Sequence, residues 1–162
     1  MVGRGSRVAV RPGCHRGNFR YYTHTMHFWL LKTEPEEYSW EKLEGEKKAI
    51  WTGVRNFEAR NNLRAMEVDD LAFIYHSGQE RIIMGLARIT KAAYPDPTAT
   101  KGDWVAVELE YVKPLVRQLS LEEVRNTYTL NTMPLIAQPR LSVQPVTEQQ
   151  MTMMLKIAKT EL

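Results

Sequence analysis

The chain has 162 residues, a formal net charge of +3, a charged fraction of 25% and one cysteine. That length fits one domain around one core, the composition is that of an ordinary globular protein, and no apolar run reaches membrane-spanning length. The single cysteine, Cys14, lies near the start, and beyond residue 25 the only imidazoles are His27 and His76. Disulfides and thiolate metal sites are therefore excluded from the body of the chain, two scattered imidazoles do not suggest a zinc site, and neither metal nor cofactor is expected.

The positive charge is unevenly placed. Residues 1–25 hold Arg4, Arg7, Arg11, Arg16 and Arg20 and no acid; taking these five from the 22 basic residues leaves 17 against 19 acids, about −2 for residues 26–162. The basic pI thus belongs to the extension. Its apolar periodicity is weak, so disorder is expected there, and the domain is placed at 26–162. The extension admits three readings: sequence upstream of a true start at Met26, an Arg-rich, acid-free targeting segment, or a basic arm adding nonspecific phosphate affinity.

In chain order, residues 27–32 (H-F-W-L-L-K) read as a short buried strand that Pro35 ends. Ser39 caps a short helix expected to reach Leu43, with Gly45 beyond its end. Residues 49–51 form a strand end that enters a turn at Gly53. Asn56 caps the next helix, where Ala59, Leu63 and Met66 share one face. Residues 71–76 (L-A-F-I-Y-H) and 82–90 form a hairpin around the turn 77–80, and Gly85 inside the second strand predicts a bulge or a close approach. Residues 94–98 form a rigid loop with two prolines. Residues 104–112 alternate as a strand, and Ser120 with Glu123 matches a capping box. Residues 131–140 read as irregular. Residues 141–146 alternate as a last strand, with Pro145 at an edge. Thr147 and Gln150 open a helix whose stripe of Met151, Met154, Leu155 and Ala158 reads as core packing. Five or six strands with short helices and no strand-helix-strand alternation predict an α+β mixed barrel rather than a parallel sheet.

No phosphate-cradling glycine loop or nucleophile elbow is present, and the pairs Glu36-Glu37 and Glu122-Glu123 read as solvated helix starts. No catalytic residue is assigned. The central stretch is 51–61, W-T-G-V-R-N-F-E-A-R-N. An indole beside amide and guanidinium donors suits a planar, hydrogen-bonding ligand such as a nucleobase. Three further polar groups sit at strand ends: Lys32-Thr33-Glu34, Tyr75-His76-Ser77, and the alternating Arg140, Ser142 and Gln144.

Taken together, W-L-L-K-T-E-P-E-E-Y-S, W-T-G-V-R-N-F-E-A-R-N, F-I-Y-H-S, G-L-A-R-I-T-K-A-A-Y-P-D-P-T and R-L-S-V-Q-P-V resemble the EVE-domain family in both content and order, over essentially residues 26–146. The start at Met26-His27-Phe28-Trp29 looks like the usual family start. The resemblance implies a PUA-like barrel, similar to that of the YTH readers, and a non-enzymatic module that takes a modified nucleobase, modified cytosine in DNA first and RNA as the alternative. It implies a base flipped into an aromatic pocket formed by Trp29, Lys32, Thr33, Trp51, Val54, Asn56, Tyr75, His76 and Ser77. Arg55, Arg60, Arg140, Ser142 and Gln144 would contact phosphate or support the pocket. Thr52 departs from the aspartate common in the family, which leaves base choice open.

A partner nuclease or helicase is expected, with a monomeric chain and no membrane. The expected compartment is the cytoplasm in a bacterium, the nucleus in a eukaryote, or an organelle if the extension is a targeting segment. The rival reading is an enzyme. Lys32, Thr33 and Glu34 supply the residue types of ASCH-like amidohydrolases that act on a modified nucleoside, but neighbours on a strand point to opposite faces.

Overall fold

The computed structural model describes residues 25–162. The expectations for the N-terminal extension lie outside the described residues, Thr25 apart. Among the described residues, six strands and five short helices follow in the order β1 (Phe28–Thr33), α1 (Trp40–Glu46), β2 (Lys48–Trp51), α2 (Phe57–Ala65), β3 (Leu71–His76), β4 (Ile82–Pro95), β5 (Val105–Ser120), α3 (Leu121–Asn126), α4 (Pro134–Ala137), β6 (Val143–Val146) and α5 (Glu148–Ile157).

The strands form one mixed sheet in the order β2-β5-β4-β3-β1-β6. β2 and β6 are its two edges and do not pair with each other, so the sheet is not closed by hydrogen bonds; the architecture is the α+β PUA-like fold expected. All neighbouring strands run antiparallel except β1 and β3, which pair in parallel from Phe28↔Leu71 to Thr33↔His76. The long crossover through α1, β2 and α2 supplies the connection that parallel pairing demands. It was not visible as strand-helix-strand alternation because β2 pairs elsewhere, with β5.

Alternation along the strands builds two cores. Trp29 and Leu31 of β1, Ala72 and Ile74 of β3, and Val107 and Leu109 of β5 face one side, with Trp40, Leu43, Ala59, Leu63 and Met66 packed among them. Leu30, Phe73, Tyr75 and Val146 face the other, with Val124, Leu135, Met151, Met154 and Leu155. α2 packs against β4, β5 and β6, so it spans the gap between the two halves of the curled sheet. The Asn62 amide donates to the Val143 carbonyl at 2.7 Å and fixes α2 to the edge strand. Pro145 sits on that outer strand, exposed, where its missing N–H leaves no ladder bond unmade.

The helix caps follow the sequence. Ser39, Asn56, Ser120 and Thr147 each accept a first-turn N–H, and both expected capping boxes are formed. α1 runs past Leu43 to Glu46, with Gly45 inside it, and Lys47 takes the left-handed cap at φ 66°. β4 and β5 extend well beyond their apolar alternation, held by each other through several register shifts. β6 is shorter than its alternation, and α4 occupies part of the stretch read as irregular. At Gly85 the β4 register shifts against both β3 and β5. A Cβ there would collide with ring carbons of Trp40 and come within 2.7 Å of the Lys113 carbonyl oxygen. The close approach is thus made by a side chain as well as by backbone.

Candidate functional site

β2 is an edge strand whose last residue, Trp51, lies opposite Val107. The chain then leaves the sheet through Thr52–Asn56 before α2 begins. Gly53 makes this turn at φ 81°, a conformation that costs glycine nothing and other residues strain. The loop is fixed from the far side by Asp96. The Gly53 N–H donates to Asp96 Oδ2 at 2.9 Å and Arg55 Nη1 donates to the same oxygen at 2.8 Å. Thr98 donates to Asp96 Oδ1 through both its N–H and its hydroxyl, each at 2.7 Å. Burial of Asp96 raises its carboxyl pKa, but the bonds from Arg55, Thr98 and Gly53 outweigh that and hold it well below the usual carboxylate range. A buried charge with this many donors is satisfied, and the loop it holds is preorganised.

The Trp51 ring is only 7% exposed and meets the Tyr38 ring edge to face, centroids 6.0 Å apart at 76°. Tyr38 is positioned at both ends. Its hydroxyl donates to Glu46 Oε2 at 2.9 Å, and its carbonyl accepts from the Thr33 hydroxyl at 2.9 Å. Burial first, then the Glu46 bond and charge, push the Tyr38 phenol pKa upward, so it stays neutral. Between these parts lies a cavity of about 510 Å³. Trp51 and Tyr38 give it aromatic surface, Thr52 to Asn56 give one wall, and Lys32, Thr33 and Ser142 give another, with the exposed Glu37 and Ile50 alongside. The volume is in the ordinary range for small-molecule sites.

The residues singled out in the sequence separate into groups. Lys32, Thr33, Trp51, Val54, Arg55, Asn56 and Ser142 line this cavity together. Asn56 caps α2 through Oδ1, at 2.9 Å from the Ala59 N–H, which leaves its NH2 for an acceptor. The Lys32 amine donates to the Pro139 carbonyl at 2.8 Å, and burial lowers its pKa. Trp29 is in the core, its indole N–H donating to Asp70 at 2.9 Å. His76 is 1% exposed; it accepts the Trp40 N–H at Nε2, 2.9 Å, which places the ring proton on Nδ1 facing Glu80 at 2.6 Å. Tyr75 and Ser77 line a neighbouring cavity of about 400 Å³ that shares Lys32. Arg60 pairs with Asp103 at 2.6 Å and ties α2 to the loop before β5. Arg140 is exposed and outside the cavity lining, and Gln144 is fully buried, its Nε2 donating to the Leu141 carbonyl at 3.4 Å.

Several lining or supporting groups were not singled out by the sequence. Glu37 belonged to a pair read as solvated, and Tyr38 carried no periodic signal. Asp96 was one residue of a proline loop; a carboxylate between two prolines is the one cue that it anchors something.

An open mixed sheet curled over a helix, with an aromatic and hydrogen-bonding cavity at its edge strand, defines a PUA-like ligand-binding domain. The sequence profile of the EVE domain matches residues 27–157, and the chain belongs to that family. It is 36% identical to thymocyte nuclear protein 1 of Mus musculus, over 83% of this chain and 74% of that one. The fold matches a crystal structure of an Agrobacterium tumefaciens protein at TM-score 0.79 and 37% identity, over 83% of this chain and 94% of the other. It also matches human THYN1 in complex with 5-methylcytosine-containing DNA, at TM-score 0.75 and 32% identity, over 84% of this chain and 99% of the other. An ASCH protein of Zymomonas mobilis shares the fold at TM-score 0.53 but only 10% identity, over 80% of this chain and 97% of that one.

Proposed function

We propose that this chain is a non-enzymatic binding module for modified cytosine in DNA, taking the base flipped out of the stack into the Trp51 cavity. The observation that carries the reading is the cavity itself, where an indole, an amide NH2, hydroxyls and a carboxylate converge on a space held open by the Asp96 anchor. The human relative in complex with 5-methylcytosine DNA supports the choice of ligand. Extruding a base costs roughly a few kcal/mol. Stacking on Trp51 returns about 1–3 kcal/mol, and hydrogen bonds to the base edge supply the remainder. The Asn56 NH2 donates to a ring acceptor, and Thr52 and Glu37 accept from an exocyclic amine. Glu37 thereby supplies the carboxylate that position 52 lacks.

The amidohydrolase alternative finds less support. Lys32 and Thr33 line the cavity, but Glu34 does not, and both the Lys32 amine and the Thr33 hydroxyl are engaged with backbone carbonyls. A monomer is proposed, delivering its recognition to a nuclease or helicase. For a eukaryotic source we place it in the nucleus, in keeping with its thymocyte nuclear relatives.

A duplex carrying 2-aminopurine beside 5-methylcytosine tests the flipping step. Binding of the full chain should unstack the reporter and raise its fluorescence, whereas binding without that rise would contradict extrusion. Incubation with acylated and methylated cytidines should leave the nucleosides unchanged; release of a product would favour the enzyme.

A further inference from the structure

The second cavity has a different chemistry from the first. It lies on the opposite face of β1 and β3, where the Tyr75 side chain emerges, and the β3–β4 turn, α3 and the segment after α4 close it. Its polar lining is Lys32, Tyr75, Ser77, Arg81 and Arg125, with no carboxylate among its lining residues. Among the described residues, Arg55, Arg60, Arg64, Arg88 and Arg117 are each ion-paired with an acid. Arg81, Arg125 and the exposed Arg140 are not, and of these three Arg81 and Arg125 line this cavity. Arg81 donates through Nε to the Gly78 carbonyl at 3.1 Å, which leaves its terminal nitrogens free of any acid, and Lys32 meets the Pro139 carbonyl and, 6.0 Å from its centroid, the Tyr75 ring. The nearby Glu80 is turned to His76. Burial raises the Tyr75 phenol pKa, while the Arg81 and Arg125 charges pull it back, so both guanidiniums act on the same hydroxyl.

We propose that this cavity is a phosphate site, holding a backbone phosphate next to the nucleotide whose base enters the Trp51 cavity. Two guanidiniums outside any ion pair, an amine and two hydroxyls face this cavity, the donor set that phosphate oxygens require, while Glu80 and Glu122 line the adjoining cavity that shares the two arginines. Lys32 lines both cavities, so a phosphate and a base could be held at once on either side of one residue. The backbone assignment rests on the base-binding reading above; the phosphate chemistry stands without it.

The test compares the full chain with Arg81→Gln/Arg125→Gln, and with Lys101→Gln/Lys156→Gln as a control that removes equal charge from exposed positions elsewhere. The probes are a single-stranded oligonucleotide with one 5-methylcytosine, the same strand unmodified, 5-methylcytidine, and inorganic phosphate followed by amide shifts at Tyr75, Ser77 and position 125. The arginine variant should bind both strands roughly tenfold more weakly, with a salt slope smaller by about 1.4, as the loss of two phosphate contacts requires. Its affinity for the nucleoside should be unchanged, and the control should match the wild type. Shifts with inorganic phosphate that vanish in the arginine variant, with strand affinity intact, would assign the site to a free phosphate instead of the backbone. Equal behaviour of the arginine variant and the wild type towards strands and phosphate alike would overturn the proposal. If the wild type fails to prefer the methylated strand but the arginine variant still loses affinity for both, the base reading falls and the phosphate site stands.

Discussion

Arg55 and Asp96 lie 41 residues apart in sequence and meet at 2.8 Å, the carboxylate fully buried and shared with the Gly53 N–H. That contact converts a glycine turn on an edge strand into a fixed wall of the cavity. Asp96→Asn keeps the shape and removes the charge. It should cost about 2 kcal/mol at neutral pH, less than a fully buried pair because Arg55 is partly exposed, and weaken ligand binding through the loosened loop. The Asp96 pKa is depressed on folding, so the unfolded chain binds the extra proton as pH falls. The contribution is therefore complete above the unfolded value near 3.8 and is lost as pH drops below it toward the folded value. Urea unfolding of wild type and variant at pH 7 and pH 3 should show the gap between them narrowing at the lower pH.

Trp51 is both ligand surface and core. Trp51→Ala should destabilise the domain by about 3–5 kcal/mol and so report on folding as much as on binding. Trp51→Phe keeps the packing against Tyr38 and gives the cleaner measurement. The domain should stay folded by circular dichroism while affinity for the modified base falls roughly fivefold, within the range for lost stacking.

Glu37 and Thr52 set the acceptors on the cavity wall. Glu37→Gln should reduce discrimination between methylcytosine and thymine by about tenfold, the scale of one hydrogen bond to a charged group. Thr52→Asp should increase it. Competition between two labelled strands measures both.

His76 reads as structural from its contacts, buried between the Trp40 N–H and Glu80. His76→Ala leaves that N–H of α1 without its acceptor. It should lower stability by about 1–3 kcal/mol and leave affinity at saturating stability within about twofold. Thermal unfolding and a titration at low temperature check the two halves.

Gly85 is fixed by what surrounds it. Gly85→Ala drives a methyl into the Trp40 ring and the Lys113 carbonyl. It should cost about 3 kcal/mol and lower Tm by roughly 10 °C, measured by calorimetry.

The sequence carried the local rules well. Every cap came from Ser, Thr or Asn at the expected place except that of α4, where Met133 makes no side-chain bond. The Ala59-Leu63-Met66 stripe packs as its spacing demands. What it carried poorly was pairing at a distance. The parallel β1–β3 pair, the open edges and the far halves of β4 and β5 depend on neighbours that no local pattern names. The site divides in the same way. Trp51 and Asn56 were legible because their residue types suit a base and they share one stretch. Tyr75 and Ser77 fell on the other cavity because alternation on β3 sends Tyr75 to the opposite face from Trp51. Asp96 and Tyr38 reach the site only through tertiary contacts.

The central claim is recognition of a modified cytosine at Trp51. Its most direct test is a Trp fluorescence titration of the full chain with strands that differ only in one methyl group on one cytosine, with Trp51→Phe beside it. The account predicts tighter binding of the methylated strand and a preference that shrinks in the variant. Equal affinity for both strands at low salt, with the protein folded, would contradict it.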